Sequence, residues 1–250
     1  MPHTTRKRYA VVSCHVERPL DDDVWARFSA LQARRPGGFA IAALMRPADP
    51  SFGEDEEVWL GRAREASAHG PLGHHTHWTA PDHARPTADG SGARVLAEGE
   101  RLRELGLEPT LFCGGGWYTD EEVAEACAEL GYVDCTPRAS RPSYLAPGEP
   151  WASLARPARA LLPSGRSLLA IPTTHSLGDL AGALLRRALP EVVHVYFHDT
   201  DLLDLRRRTL LGVLLPLLAR VAGARNLDGL SVELAGSAEE VAWSDVARDS

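Results

Sequence analysis

Apolar and polar positions along the chain switch between a period of two and a period near 3.6, and the switches set out a run of elements. Residues 9–16 form an apolar, β-branched run and predict a strand. The pattern over 24–35 predicts a helix; Asp21, Asp22 and Asp23 suit its start and Gly37-Gly38 its end. Residues 39–45 predict a second strand, and 54–69 a charged amphipathic helix stopped by Gly70-Pro71. A short strand then runs into Gly73-His74-His75-Thr76-His77-Trp78-Thr79. Further on, the pattern predicts a helix over 93–105, ended by Gly106, and a strand over 109–113. Thr119-Asp120-Glu121-Glu122 reads as the capping-box start of a helix to 130, with a strand over 132–136 after it. Strands are predicted at 167–174 and 192–198, helices at 177–189 and 209–222, a last strand at 230–234 and a last helix at 239–246.

Repeated β-α units predict a parallel sheet, and seven or eight of them in 250 residues predict an α/β protein of the closed (β/α) barrel type. No break in composition divides the chain, so residues 1–250 are expected to form one domain. The Pro-, Ala- and Arg-rich segment 137–166 is too long for a bare connection; it is expected to form a lid or an inserted loop over the site.

Composition narrows the classes of function. A hydrophobic fraction of 44% and a charged fraction of 24% are ordinary for a globular chain. A formal net charge of −7 disfavours nucleic acid and anionic membrane surfaces as partners, which leaves a small-molecule or glycan substrate. The basic residues are nearly all arginine, with Lys7 the sole lysine. Residues 4–12 imitate a signal peptide, but the apolar run is short, is followed by His15 and Glu17, and has no small-residue cleavage site. The apolar run 210–219 is interrupted by Gly212 and Pro216 and falls short of the ~20 residues of a membrane span. A cytoplasmic protein is therefore expected, of open oligomeric state. Cys14, Cys113, Cys127 and Cys135 include no CxxC pair, so no disulfide framework is expected.

Candidate chemistry gathers at the predicted strand ends, where a β/α barrel carries its active site. Alternation along a strand puts His15 and Glu17 on one face, and His75 and His77 on one face with His74 opposite. Two imidazoles on one side of a strand end are a common way to hold a divalent metal. Other strands offer Cys113, Asp134, Cys135, His175, His194, Tyr196 and His198 at the same end. His69, His74 and His83 read as loop or helix-surface residues. Gly114-Gly115-Gly116 reads as a tight turn; no Lys-Ser/Thr follows to make it a phosphate cradle.

The order of these groups resembles the polysaccharide deacetylases, the NodB-homology or carbohydrate esterase 4 group, over roughly residues 9–234. Val195-Tyr196-Phe197-His198-Asp199 looks like the family's late histidine motif, and Gly73-His74-His75-Thr76-His77-Trp78 like a divergent form of its metal motif. The stretch from Thr119 to Asp134 looks like its helix-then-Asp segment. The resemblance implies a single-domain, distorted seven-stranded barrel and metal-assisted hydrolytic deacetylation of an N-acetylated or O-acetylated sugar or small carbohydrate-containing metabolite. It implies Glu17, His75 and His77 as ligands of a divalent metal, zinc first, with cobalt, nickel or manganese as alternatives. His198 becomes the general acid and Asp134 a further catalytic group. Trp78, Trp117 and Tyr196 would line the substrate pocket, and the backbone amides around Gly115 would serve as oxyanion donors.

Two departures stand out. His15-Val16-Glu17 replaces the family's acidic pair, which makes His15 the base, a group that titrates near neutral pH without tuning. The family arginine that orients the aspartate base is missing, with Cys113-Gly114-Gly115-Gly116-Trp117 in its place. The competing reading is a catalytically inactive deacetylase-fold protein that binds carbohydrate or regulates a partner. A metal site built on cysteine is disfavoured by Cys14, which faces away from His15 and Glu17.

Overall fold

A computed structural model describes residues 8–248, so the basic tail up to Lys7 lies outside it. In chain order the strands are β1 (Tyr9–Val16), β2 (Ala42–Met45), β3 (Leu72–His74), β4 (Leu111–Phe112), β5 (Val133–Asp134), β6 (Trp151–Ala152), β7 (Ala158–Leu161), β8 (Ser167–Ala170), β9 (Val192–His198), β10 (Gly223–Ala224), β11 (Glu239–Ala242) and β12 (Ala247–Arg248). The helices are α1 (Asp22–Arg34), α2 (Glu56–His69), α3 (Ser91–Glu104), α4 (Glu121–Glu129), α5 (Leu177–Arg186), α6 (Leu205–Val221), α7 (Leu227–Ala235) and α8 (Trp243–Val246).

The parallel ladder runs β9-β1-β2-β3-β4-β5-β8, the connectivity of a barrel-like α/β fold. Closure is partial. Beyond β8 the chain returns to β9 through one parallel bridge, His175 to Val195, in place of a continuous ladder. The expected closed barrel is thus a sheet curled toward closure. Segment 137–166 holds β6 and β7: β7 pairs antiparallel with β8 and carries β11 on its other side, while β6 pairs with β12.

Strand alternation sorts side chains into an inner and an outer layer. Val11, Leu44, Leu111, Cys113, Cys135 and Ile171 share an inner cluster. Val12, Cys14, Val16, Val193, Val195 and Phe197 belong to an outer one, packed with Phe28, Trp59, Leu180 and Leu215 of the helices. On β1 this parity turns Val11, Ser13, His15 and then Glu17 inward, so the end of the first strand delivers two polar groups to the open end of the sheet. The helix starts follow side-chain capping: Asp21, Asp55, Asp120, Asp204 and Asn226 each accept a backbone N–H of the first turn.

The end of the chain departs from its prediction. Residues 230–234 lie inside α7; Leu227, Leu230 and Leu234 recur at helical spacing and Asn226 caps the start. Residues 239–246 are strand β11 followed by the single turn of α8, because Glu239–Ala242 finds a parallel partner in β7. Helix α6 also starts earlier than predicted, at Leu205 behind the Asp204 cap.

Candidate active site

Three imidazoles aim at one carboxylate. The Nε2 atoms of His75, His77 and His198 lie 3.8, 3.9 and 3.6 Å from Oε1 of Glu17. His75 follows β3, and its Nδ1 is 2.6 Å from the Cys113 carbonyl; His77 Nδ1 is 2.8 Å from the Pro81 carbonyl. A carbonyl only accepts, so each Nδ1 carries the proton and each Nε2 keeps its lone pair. Both Nε2 atoms are buried with no hydrogen-bond partner. Fixing the tautomer from behind is how proteins prepare histidines for metal. The ligand atoms of Glu17, His75 and His77 lie within 4.8 Å of one another, so the set fits a divalent cation.

Burial works against the charge on Glu17, but the neighbouring imidazoles of His75, His198 and His77 hold its carboxyl down to about 2. Burial, then the charge of His75, lowers His77 to about 4. The Glu17 backbone is pinned by Arg46, whose Nε donates to the Glu17 carbonyl at 3.0 Å while its guanidinium clasps Glu54. Asp199, just past β9, accepts the Arg18 N–H at 2.8 Å and ties the ends of β1 and β9 together.

His15 sits opposite His198 in the β1–β9 register and packs against His75 at 4.8 Å between ring centroids. Its Nε2 is buried and unpartnered. Burial, then the charges of His75 and His198, pushes its imidazole well below the usual histidine range. Desolvation of this kind favours the neutral imidazole, against the near-neutral titration expected of it. Trp117 and Tyr196 stand against His15 at 5.0 and 5.5 Å. A cleft of about 460 Å³ opens beside Glu17 and His77, lined also by Arg46, Glu54 and Asp82.

Other expected site residues lie elsewhere. Asp134 has the wrong parity on β5: Cys135 joins the inner cluster, and the Asp134 carboxylate faces the other way, accepting Thr136 N–H at 2.8 Å. None of its contacts is with the imidazole cluster; burial raises its carboxyl to about 6. Trp78 packs in the outer layer with Tyr118 and donates to the Ser91 carbonyl, away from the cleft. The Gly114 amide donates to Thr136 and the Gly115 amide to the Thr76 carbonyl, so neither is free as an oxyanion donor. Gly115 matters by its lack of a side chain, since a Cβ there would stand 2.6 Å from Thr76 O and 2.7 Å from His77 Cδ2. His74 is fully buried, not on the surface, and pairs with Glu98 and Thr76 behind β3. His194 bonds Ser13 at 2.9 Å inside the sheet, and His175 bonds Thr174.

One residue of the site, Arg138, escaped the sequence reading, and another, Cys113, entered it only in the disfavoured cysteine metal site. The Cys113 thiol lies within 4.8 Å of ligand nitrogens of His15 and His75, a second metal-competent set. Arg138 stacks on Trp117 and Tyr196, so an arginine does approach the base position, from the segment after β5. Its place directly after a strand end was the available signal.

No protein-family model matches this chain, and no curated protein matches it in sequence. Among solved structures, 4-alpha-glucanotransferase from Thermococcus litoralis aligns with 95% of this chain and 39% of its own, at a TM-score of 0.48 and 9% identity. The chain thus spans well under half of that protein. WbmS from Bordetella bronchiseptica, provisionally described as a polysaccharide deacetylase involved in O-antigen biosynthesis, aligns over 91% of both chains at a TM-score of 0.47 and 13% identity. Likenesses this distant leave the function to the geometry of the site.

Proposed function

We propose that this protein is a metal-assisted hydrolase that removes an acetyl group from an N-acetylated or O-acetylated sugar or small carbohydrate-containing metabolite. One observation carries the reading: His75 and His77, locked from behind by backbone carbonyls, present free Nε2 lone pairs beside the Glu17 carboxylate. A divalent cation held by these three residues, zinc first and cobalt, nickel or manganese as alternatives, would supply Lewis-acid activation of the acyl carbonyl and of water. The chain's own groups complete the chemistry. His15, whose neutral form burial favours, would accept the proton. His198, one-third exposed at the edge of the cluster, is placed to hand a proton to the departing amine or alcohol. Trp117 and Tyr196 offer aromatic faces to a sugar ring.

Metal analysis of the untagged chain by inductively coupled plasma mass spectrometry tests this. About one equivalent of a divalent ion is expected, lost in His75→Ala and His77→Ala, together with acetate release from acetylated sugars. Wild-type protein that stays metal-free after addition of zinc, cobalt, nickel or manganese would sink the proposal. The depressed basicity of His15 favours a second reading, a carbohydrate-binding protein without turnover. Sugar binding with no acetate released by the metal-loaded protein would select it.

A further inference from the structure

We propose that Arg138 anchors an anionic group, a carboxylate or a phosphate, on the molecule this site takes; the inference rests on the hydrolase reading only for what then happens to that molecule. The backbone of Arg138 is fixed, its N–H donating to the Ala152 carbonyl and its carbonyl accepting from Leu154. Its guanidinium carbon lies 4.4 Å from the Trp117 ring centroid and 5.1 Å from that of Tyr196, and Nη1 donates to the Tyr196 hydroxyl at 3.1 Å. The same two rings touch His15. The cation therefore stands one aromatic ring away from the cluster, at about the reach of a substituent on the sugar whose acyl group is cleaved.

No acid answers this charge. The buried Arg46 and the half-buried Arg85 and Arg94 hold Glu54, Glu149, and Asp49 with Glu98. Arg138 has no such partner among the described residues. Asp179 feels its charge, but that carboxylate is committed to Ser176 at the start of α5. Arg138 Nε is buried without a partner, and Nη1 takes the Tyr196 hydroxyl, which leaves Nη2 without a hydrogen bond among the described residues. Nε and Nη2 form one edge of the planar group, the edge that receives two oxygens of a carboxylate or phosphate side by side. Cation–π contact holds the plane still without using that edge.

The test is a titration of the purified full chain with sodium glucuronate and, separately, inorganic phosphate, at constant ionic strength against chloride. The readout is tryptophan fluorescence, to which Trp117 beneath the guanidinium contributes. A saturable response to glucuronate, to phosphate or to both is expected, and the stronger of the two names the anion class. It should weaken about tenfold or more in Arg138→Gln and less in Arg138→Lys, which keeps the charge and loses the fork. If Arg138→Gln fails to fold, the several-fold weakening in Arg138→Lys carries the test. Absence of a saturable response overturns the proposal, as do equal responses in wild type and variants, or a response that disappears when EDTA strips divalent ions. Because binding is read without turnover, anion binding through Arg138 in a protein that releases no acetate would sink the hydrolase reading alone.

Discussion

Gly115 packs directly against the backbone and ring that position His77. The Thr76 carbonyl and the His77 ring occupy the space of its missing side chain, and a carbonyl fixed by the Gly115 N–H cannot step aside. Gly115→Ala is expected to cost on the order of 1–3 kcal/mol in unfolding free energy and to displace His77. Denaturation and metal analysis check both effects; a variant as stable and as metal-competent as wild type would contradict this account. Asp134 gives a pH signature. Burial lifts its carboxyl from 3.8 to about 6, so the folded state holds the proton more tightly than the unfolded chain does. That contribution is fully present below pH 3.8 and is lost as pH rises through about 6, by roughly 3 kcal/mol for two pKa units. In Asp134→Asn this component of the stability-versus-pH curve should vanish, as denaturation at a series of pH values will show. The pairing of His15 with Glu17 and of His75 with His77 was legible because two-residue alternation is enough to establish a shared face. The sequence reading placed Asp134 at the right end of its strand without asking which face its parity chose. Arg138 was only faintly legible, by its place after a strand end, because its role depends on Trp117 in the turn after β4 and Tyr196 on β9.

At the level of elements, the residue ranges of β1 and β9 were legible to the residue, since both are valine-rich runs buried along most of their length. The final elements were not. Leu230 sits in an apolar stretch short enough to suit a strand or a helix, and what decides is the Asn226 cap and the burial of Leu227 beside it. Asn226→Ala should therefore cost about 1 kcal/mol by loss of that cap, measured by chemical denaturation, whereas a strand over the same residues would be indifferent to it. Residues 239–242 became a strand only because β7 offers them an edge, information held about eighty positions upstream on the scale of ordinary long-range pairing.

Across the whole molecule, the α/β class and the gathering of polar groups at one end of the sheet were readable, while the incomplete closure was not, because the single His175–Val195 bridge leaves no periodic trace. No described helix is long and apolar enough to cross a membrane. Cys14, Cys113, Cys127 and Cys135 are all free and buried, with burial raising each thiol well above its ordinary range. None is expected to react with a water-soluble thiol reagent in the native protein, and all four should react after unfolding. Rapid native labelling of Cys113 would mean that the site opens more than the structure implies.

The seam between β1 and β9 also has a meaning in time. Ser13 and His194, paired across it, lie 181 positions apart in the chain. During synthesis the first strand must wait, with one long edge unpaired, until β9 has been made. Contacts this remote are slow to form and leave exposed strand edges behind them. His198, the proposed proton donor, is then the last member of the cluster to arrive, because it cannot face Glu17 before the seam zips. A nascent chain halted ahead of β9 would hold Glu17, His75 and His77 yet lack His198 and the strand that carries it.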